Sequence, residues 1–259
     1  MPHVVALYRH PVKGFTPERC DQLTVQDDGR IAGDRVLAFR FAGASAPEQR
    51  DGLEYWPKAK GLALQSFPAL AALRLSLRDG IVRVMQRGEL LVEAGLDDAG
   101  RARLVDAVTE VVRASPEGRL LAGHLPLTLV GDGVRARFQD RPRGYVSLHS
   151  RGSVRALEQA LGRDADDRRF RSNVVIDGVD AWDELSWRSR VRIGGVEFGA
   201  DGPIVRCLAP HADPDTGVRN ARILTTLTDR IGQDRPTLGR LLLTDRGGAI
   251  RVGDEVTVL

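Results

Sequence analysis

Apolar residues alternate with polar ones, or run over short stretches, along most of the chain, and this pattern predicts strands. Residues 3–8 read as a first strand, closed by His10-Pro11. Residues 35–41 are β-prone and alternate in polarity. Residues 81–85 and 90–93 flank a Gln-Arg-Gly-Glu turn and predict a hairpin. Residues 189–200 predict another, with Val191 and Ile193 before Gly194-Gly195 and Val196 and Phe198 after it. The C-terminus repeats the device: a strand over 240–244, a turn at Asp245-Arg246-Gly247-Gly248, then strand residues at 250–252 and 256–258.

Two segments switch to the helical period. Over 99–114, Leu104, Val105, Val108, Val111 and Val112 form one apolar stripe, preceded by Asp97 and Asp98 and followed by Pro116 and Gly118. Over 152–161, Val154, Leu157 and Leu161 face inward, with Ser150 as the expected cap and Gly162 as the stop. Residues 43–59 and 139–144 read as loops, the second rich in Arg and Pro. Many short strands, Gly-rich turns and few helices predict an α+β, mostly β protein with barrel-like sheets. A weak boundary falls within residues 115–124.

Composition narrows the function classes. The 259 residues carry 38 Lys+Arg against 35 Asp+Glu, and only Lys13, Lys58 and Lys60 are lysines. Arginine suits bidentate contacts to phosphate and carboxylate. Aromatic residues are 5% of the chain and no like-charge run stands out, so nucleic acid is not an expected partner. No signal-peptide pattern and no apolar run of spanning length is read, so no membrane is expected and the cytoplasm is the expected compartment. Two cysteines, Cys20 and Cys207, cannot build a disulfide framework or hold an iron–sulfur cluster. Phosphate-loop, dinucleotide and H-E-x-x-H motifs are absent. Cys207, His211 and Asp213 are zinc-type ligands in one short segment, but no partner cluster is visible, so zinc is not expected.

The remaining motifs resemble a known family. Phe170-Arg171-Ser172-Asn173 followed by Val174-Val175-Ile176 is similar to the F-R-P-N motif of MOSC domains, named for the molybdenum cofactor sulfurase C-terminus. Arg206-Cys207 with Asp213-Pro214-Asp215-Thr216-Gly217, and the tail Arg251-Val252-Gly253-Asp254, resemble further MOSC blocks. Tyr8, Pro11-Val12-Lys13 and Gly33-Asp34-Arg35 resemble the N-terminal β-barrel domain that often precedes MOSC. The resemblance implies a barrel-like domain over residues 1–119 packed against a MOSC barrel over 120–259.

The resemblance further implies a molybdenum cofactor and reduction of N-oxygenated small molecules, as in the amidoxime reducing component family. Cys207 would be the thiolate ligand to molybdenum, a soft donor whose neighbour Arg206 favours the ionised form. Lys13, Arg35, Ser150, Arg171, Asn173 and Arg206 would bind the cofactor, with Ser153 and the helix start after Ser150 adding donors. His211 would be a proton donor. The chain departs from the family at Gly14, Ser172 and Val205, and Leu208-Ala209-Pro210-His211-Ala212 replaces a run that usually contains two threonines. Electrons would come from a separate reductase. Two alternatives stand beside this one: a sulfur carrier using a Cys207 persulfide supplied by a cysteine desulfurase, and a non-catalytic cofactor-binding module.

Overall fold

The computed structural model describes residues 1–244 and 246–259; Asp245, the first residue of the turn expected at 245–248, lies outside them. In chain order the first strands are β1 (His3–Arg9), β2 (Glu18–Cys20), β3 (Gln22–Val25), β4 (Ala38–Arg40), β5 (Glu48–Arg50) and β6 (Leu53–Tyr55). A meander follows, β7 (Leu73–Arg78), β8 (Ile81–Gln86) and β9 (Glu89–Ala94), then helix α1 (Asp98–Arg113) and β10 (Thr128–Val130). The second half holds β11 (Val146–Ser150), helix α2 (Arg151–Leu161), β12 (Val174–Asp177), β13 (Arg190–Ile193) and β14 (Val196–Val205). It closes with β15 (Thr237–Leu243), β16 (Gly248–Arg251) and β17 (Val256–Val258).

The fold is α+β and mostly β, dominated by a curled sheet of order β17-β13-β14-β15-β11-β12-β1-β2. Its neighbours are antiparallel except β11 and β12, which are parallel because α2 carries the chain back between them. Ser150 caps α2 by accepting from Ser153 N at 3.0 Å, and Gly162 ends it. The sheet buries Leu7, Val146, Leu148, Val174 and Ile176 in one core. A second core forms where Leu104, Val108 and Val112 of α1 pack on Leu73, Leu75, Val82 and Val84 of the meander. Asp97 starts α1 by accepting from Gly100 N at 2.7 Å. The two packing units interleave along the chain: β1 and β2 complete the large sheet, while β10 pairs with β4.

Three expected elements differ. The C-terminal hairpin does not form: β16 pairs with β3 and β17 with β13. Both edges of β15 are already taken by β14 and β11, so β16 has no edge to fold back on. Of residues 35–41 only Ala38–Arg40 is strand, and Arg35 is left-handed at φ 52°. The loop expected over 43–59 contains the β5–β6 hairpin, turning at Asp51-Gly52 with φ 54° and 74°. Its residues are largely exposed, so no polarity alternation marks it. No helix among the described residues is long and apolar enough to cross a membrane.

Candidate functional site

A cavity of about 670 Å³ is lined by Lys13, Arg35, Arg171, Asn173, Arg206 and Cys207 together. Backbone pairing brings the first two together. His10-Pro11 ends β1, and the carbonyls of His10 and Pro11 accept from Arg35 N at 2.6 Å and Val36 N at 2.9 Å. Lys13 N donates in turn to Leu37 O at 2.9 Å. Arg171 ends the short turn Asp167–Phe170 with left-handed φ 53°. Arg35 and Arg171 thus both adopt a conformation uncommon outside glycine, with both side chains on the cavity wall.

Arg206 and Cys207 follow the end of β14 and also line the cavity. Arg206 N donates to Pro236 O at 2.8 Å. Its guanidinium donates to Leu238 O and, at 2.7 Å, to Phe170 O, and lies 5.7 Å over the Phe170 ring. Gly239 makes room for it: at φ +81° an added Cβ would stand 2.3 Å from Leu148 O and 3.0 Å from the Arg206 guanidinium. Cys207 is a half-buried free thiol.

The charge of the cavity is one-sided. Lys13, Arg35, Lys58 and Arg141 line it together with Arg169, Arg171, Arg206 and Arg235, against the single carboxylate Asp140. Four of these cations hold carboxylates: Lys13 with Asp140 at 2.7 Å, Arg35 with Asp34, Arg141 with Asp201 at 3.7 Å and Arg169 with Asp213 at 3.0 Å. Among the described residues the other four, Lys58, Arg171, Arg206 and Arg235, have no carboxylate at ion-pair distance. Burial, then the neighbouring Arg35, pushes the Arg171 pKa down to about 10. Burial does the same to Arg206, also to about 10. Two desolvated guanidiniums with no carboxylate at ion-pair distance, beside a thiol, favour an anionic group in this cavity.

Two expected site residues sit elsewhere. Ser150 is fully buried, its hydroxyl bonded to Glu184 and Ser153 at 3.0 Å each. Ser153 also donates to Glu184, at 2.8 Å, so the start of α2 faces a core carboxylate and not the cavity. His211 is off the cavity wall, and its Nε2 accepts from Leu224 N at 3.2 Å. Burial, then Arg219 and Arg169, lowers its pKa, which favours the neutral ring over a proton donor. Asn173 lines the cavity but spends its amide internally. It donates to Tyr8 O at 3.1 Å and Asp34 at 3.3 Å, and accepts from Ser147 Oγ at 2.9 Å. It therefore pins β1, β11 and the start of β12 beneath Arg171.

Other residues of the site lie in or beside the motifs and were not expected to bind the cofactor. Asp34 accepts from His10 N at 2.7 Å and pairs with Arg35; despite its burial these cations and donors hold its carboxyl well below the usual range. Arg169 clamps the loop after Cys207. It donates to the carbonyls of Pro210, His211 and Ala212 and to Asp213 and Asn220. The signal for Arg169 was its place beside Phe170-Arg171, and for Asp213 its place in the D-P-D-T-G run. The departure at Gly14 has a structural cause: φ is +89° and an added Cβ would lie 3.2 Å from Leu62 O. Among the described residues no three His, Cys, Asp or Glu side chains converge as a metal site.

Residues 135–257 match the family model for the MOSC domain. This part of the chain is a MOSC domain. The MOSC segment supplies Arg169, Arg171, Arg206 and Cys207, while Lys13 and Arg35 reach the cavity from residues before it. Mitochondrial amidoxime-reducing component 1 of Mus musculus is 32% identical over 120 residues, 42% of this chain and 35% of that protein. Molybdenum cofactor sulfurase of Drosophila erecta is 36% identical over 92 residues, 36% of this chain and 12% of that protein. The matches thus span a minor part of each relative. The YuaD protein of Bacillus subtilis aligns with TM-score 0.43 and 13% identity, over 99% of this chain and 94% of that one.

Proposed function

We propose that this chain binds a molybdenum cofactor in the cavity and reduces N-oxygenated small molecules by two electrons, with Cys207 as the protein's thiolate ligand. One observation carries the reading: a half-buried thiol and two guanidiniums without carboxylate partners share one cavity of ligand size, about 670 Å³. A pterin–dithiolene–phosphate fits that donor set, since its anionic groups supply the counter-charge that Arg171 and Arg206 lack. When bound, the cofactor supplies a metal centre that exchanges two electrons and accepts an oxygen atom.

The chain's own residues do the rest. Arg171, Arg35 and Lys13 hold the phosphate end by charge-assisted donation. Arg206, fixed by Leu238 O and Phe170 O, keeps positive charge beside Cys207. Arg169 fixes the backbone after Cys207, so the sulfur is presented from a braced loop. A separate reductase delivers the electrons. The amidoxime-reducing relative motivates the substrate class: an amidoxime takes up two electrons and two protons and yields an amidine and water.

Activity tests this directly. Protein from a cofactor-competent host, with dithionite as reductant, is expected to convert an arylamidoxime to the amidine, and Cys207→Ser to lose turnover. Cofactor-loaded wild type without turnover overturns the reductase reading. The match to a cofactor sulfurase keeps sulfur transfer as the second reading. There, incubation with a cysteine desulfurase adds one sulfur to wild type and none to Cys207→Ala, by mass spectrometry.

A further inference from the structure

Lys13 is almost wholly enclosed, with 8% of its side chain exposed, yet Asp140, its partner at 2.7 Å, keeps 61% of its side chain in solvent. The same ammonium donates to the Gln139 carbonyl at 3.3 Å. Residues 139–140 therefore cap Lys13 along the cavity lining, in the Arg/Pro-rich segment that carries no regular structure. Asp140 is the one carboxylate on a wall of cations, and the positive charge of Lys58 and Arg35 acts on it as well. The Gln139 side chain lies buried beneath, its amide nitrogen and oxygen both without a hydrogen-bond partner. An unpaired buried amide is destabilising, so the ion pair holds this strap down against an opposing cost.

The two partners differ in what they lose on separation. Asp140 is mostly solvated and can turn out into water. Lys13 stays enclosed and needs a counter-charge wherever Asp140 goes. We propose that Asp140 is a resident counter-ion on Lys13 that an anionic group of phosphate type displaces on binding, so that Asp140 sets the anion affinity of the cavity. The exchange is non-covalent: one carboxylate leaves the ammonium and one phosphate oxygen takes its place. Gln139 is uncovered in the same movement and its amide gains water. The inference rests on the cavity being an anion site, as the proposed function requires, and needs neither metal nor turnover.

Isothermal titration of the full chain, made in a host that lacks the molybdenum cofactor, with inorganic phosphate tests it. Asp140→Asn removes the charge and keeps the shape, and is expected to tighten phosphate about tenfold or more, the size of one charge-assisted hydrogen bond. Binding seen in Asp140→Asn and not in wild type counts as that gain. Asp201→Asn, the same change of charge beside Arg141, is expected to stay within about twofold, because that exposed pair lies at 3.7 Å. In a Lys13→Met background Asp140→Asn is expected to give no gain. A wild-type readout needs no variant: phosphate is expected to speed tryptic cleavage after Arg143, since the strap opens. Equal affinity of Asp140→Asn and wild type, an equal gain without Lys13, binding in neither protein, or unchanged cleavage overturns the proposal. A chain that takes up neither molybdenum nor pterin in a cofactor-competent host yet shows the Asp140→Asn gain removes the proposed function and leaves this role standing; a chain that takes them up there but shows no gain when made free of them does the reverse.

Discussion

Arg169 and Arg171 stand two residues apart on one cavity wall, and truncating each to Met should have opposite consequences for stability. Arg169 is 5% exposed and engages three backbone carbonyls, Asp213 and Asn220. Removing one member of a buried ion pair costs about 3–5 kcal/mol. Asp213 keeps Asn220 and the Asp215 and Thr216 amides, which places Arg169→Met near the lower end, at about 3 kcal/mol. For a chain of this size that lowers Tm by roughly 5–10 °C. Arg171 has no carboxylate, and its pKa is pushed down to about 10, mainly by burial. At about 1.4 kcal/mol per unit, holding that charge costs the fold about 3 kcal/mol before discounting for the open cavity. Against this stands one charged hydrogen bond to Phe15 O, worth about 2 kcal/mol. Arg171→Met should therefore fall within about 1 kcal/mol of wild type, with the sign favouring the variant. Thermal and urea melts followed by circular dichroism read both. Phosphate titration completes the contrast: Arg171→Met loses anion affinity while keeping stability. If Arg171→Met unfolds as readily as Arg169→Met, Arg171 is a structural residue and the division of the wall into braces and ligand groups is wrong.

Burial pushes the His10 pKa from 6.5 to about 3, with Arg171 and Arg35 adding to it. Between those values the unfolded chain binds the extra proton, so stability falls as pH drops, by about 2 kcal/mol from pH 7 to pH 5. Asp34, held below the usual carboxylate range, adds a loss in the same direction at lower pH. His10→Gln should flatten the upper part of a Tm-against-pH curve; an unchanged slope there assigns the loss to other groups. Ser150→Ala should cost about 1–2 kcal/mol through the lost α2 cap and leave phosphate affinity untouched. Weakened phosphate binding in that variant would return Ser150 to the ligand shell. Gly239→Ala should lower Tm and, by displacing Arg206, weaken phosphate binding several-fold. A variant that binds as wild type shows the Arg206 seat tolerates a side chain at 239.

Much of the fold was legible because its signals are local. The stripe at 104, 108 and 112 with Asp97 before it, and Ser150 and Gly162 around α2, each fix one helix within a few residues. The hairpins at Arg87-Gly88 and Gly194-Gly195 carry their turn chemistry in the residues themselves. What failed was strand partnership. Nothing in residues 248–251 says that β3, more than two hundred residues away, offers the free edge while β15 does not. The site divides in the same way. Lys13, Arg35, Arg171, Arg206 and Cys207 lie in motif blocks and converge on one cavity. Ser150 and His211 lie in or beside such blocks too, but a helix cap and a loop hydrogen bond take their polar atoms. Whether a polar side chain faces a ligand or a buried neighbour is decided by tertiary packing. Glu184, which draws in Ser150, has no motif at all.

Metal and pterin content, measured on protein from a cofactor-competent host, tests the central claim most directly. Wild type should carry molybdenum and the fluorescent pterin oxidation product in equal amounts. Cys207→Ser should keep the pterin, which the arginines hold, and its molybdenum X-ray absorption should lose one sulfur neighbour. Wild-type protein that carries neither molybdenum nor pterin would contradict the account.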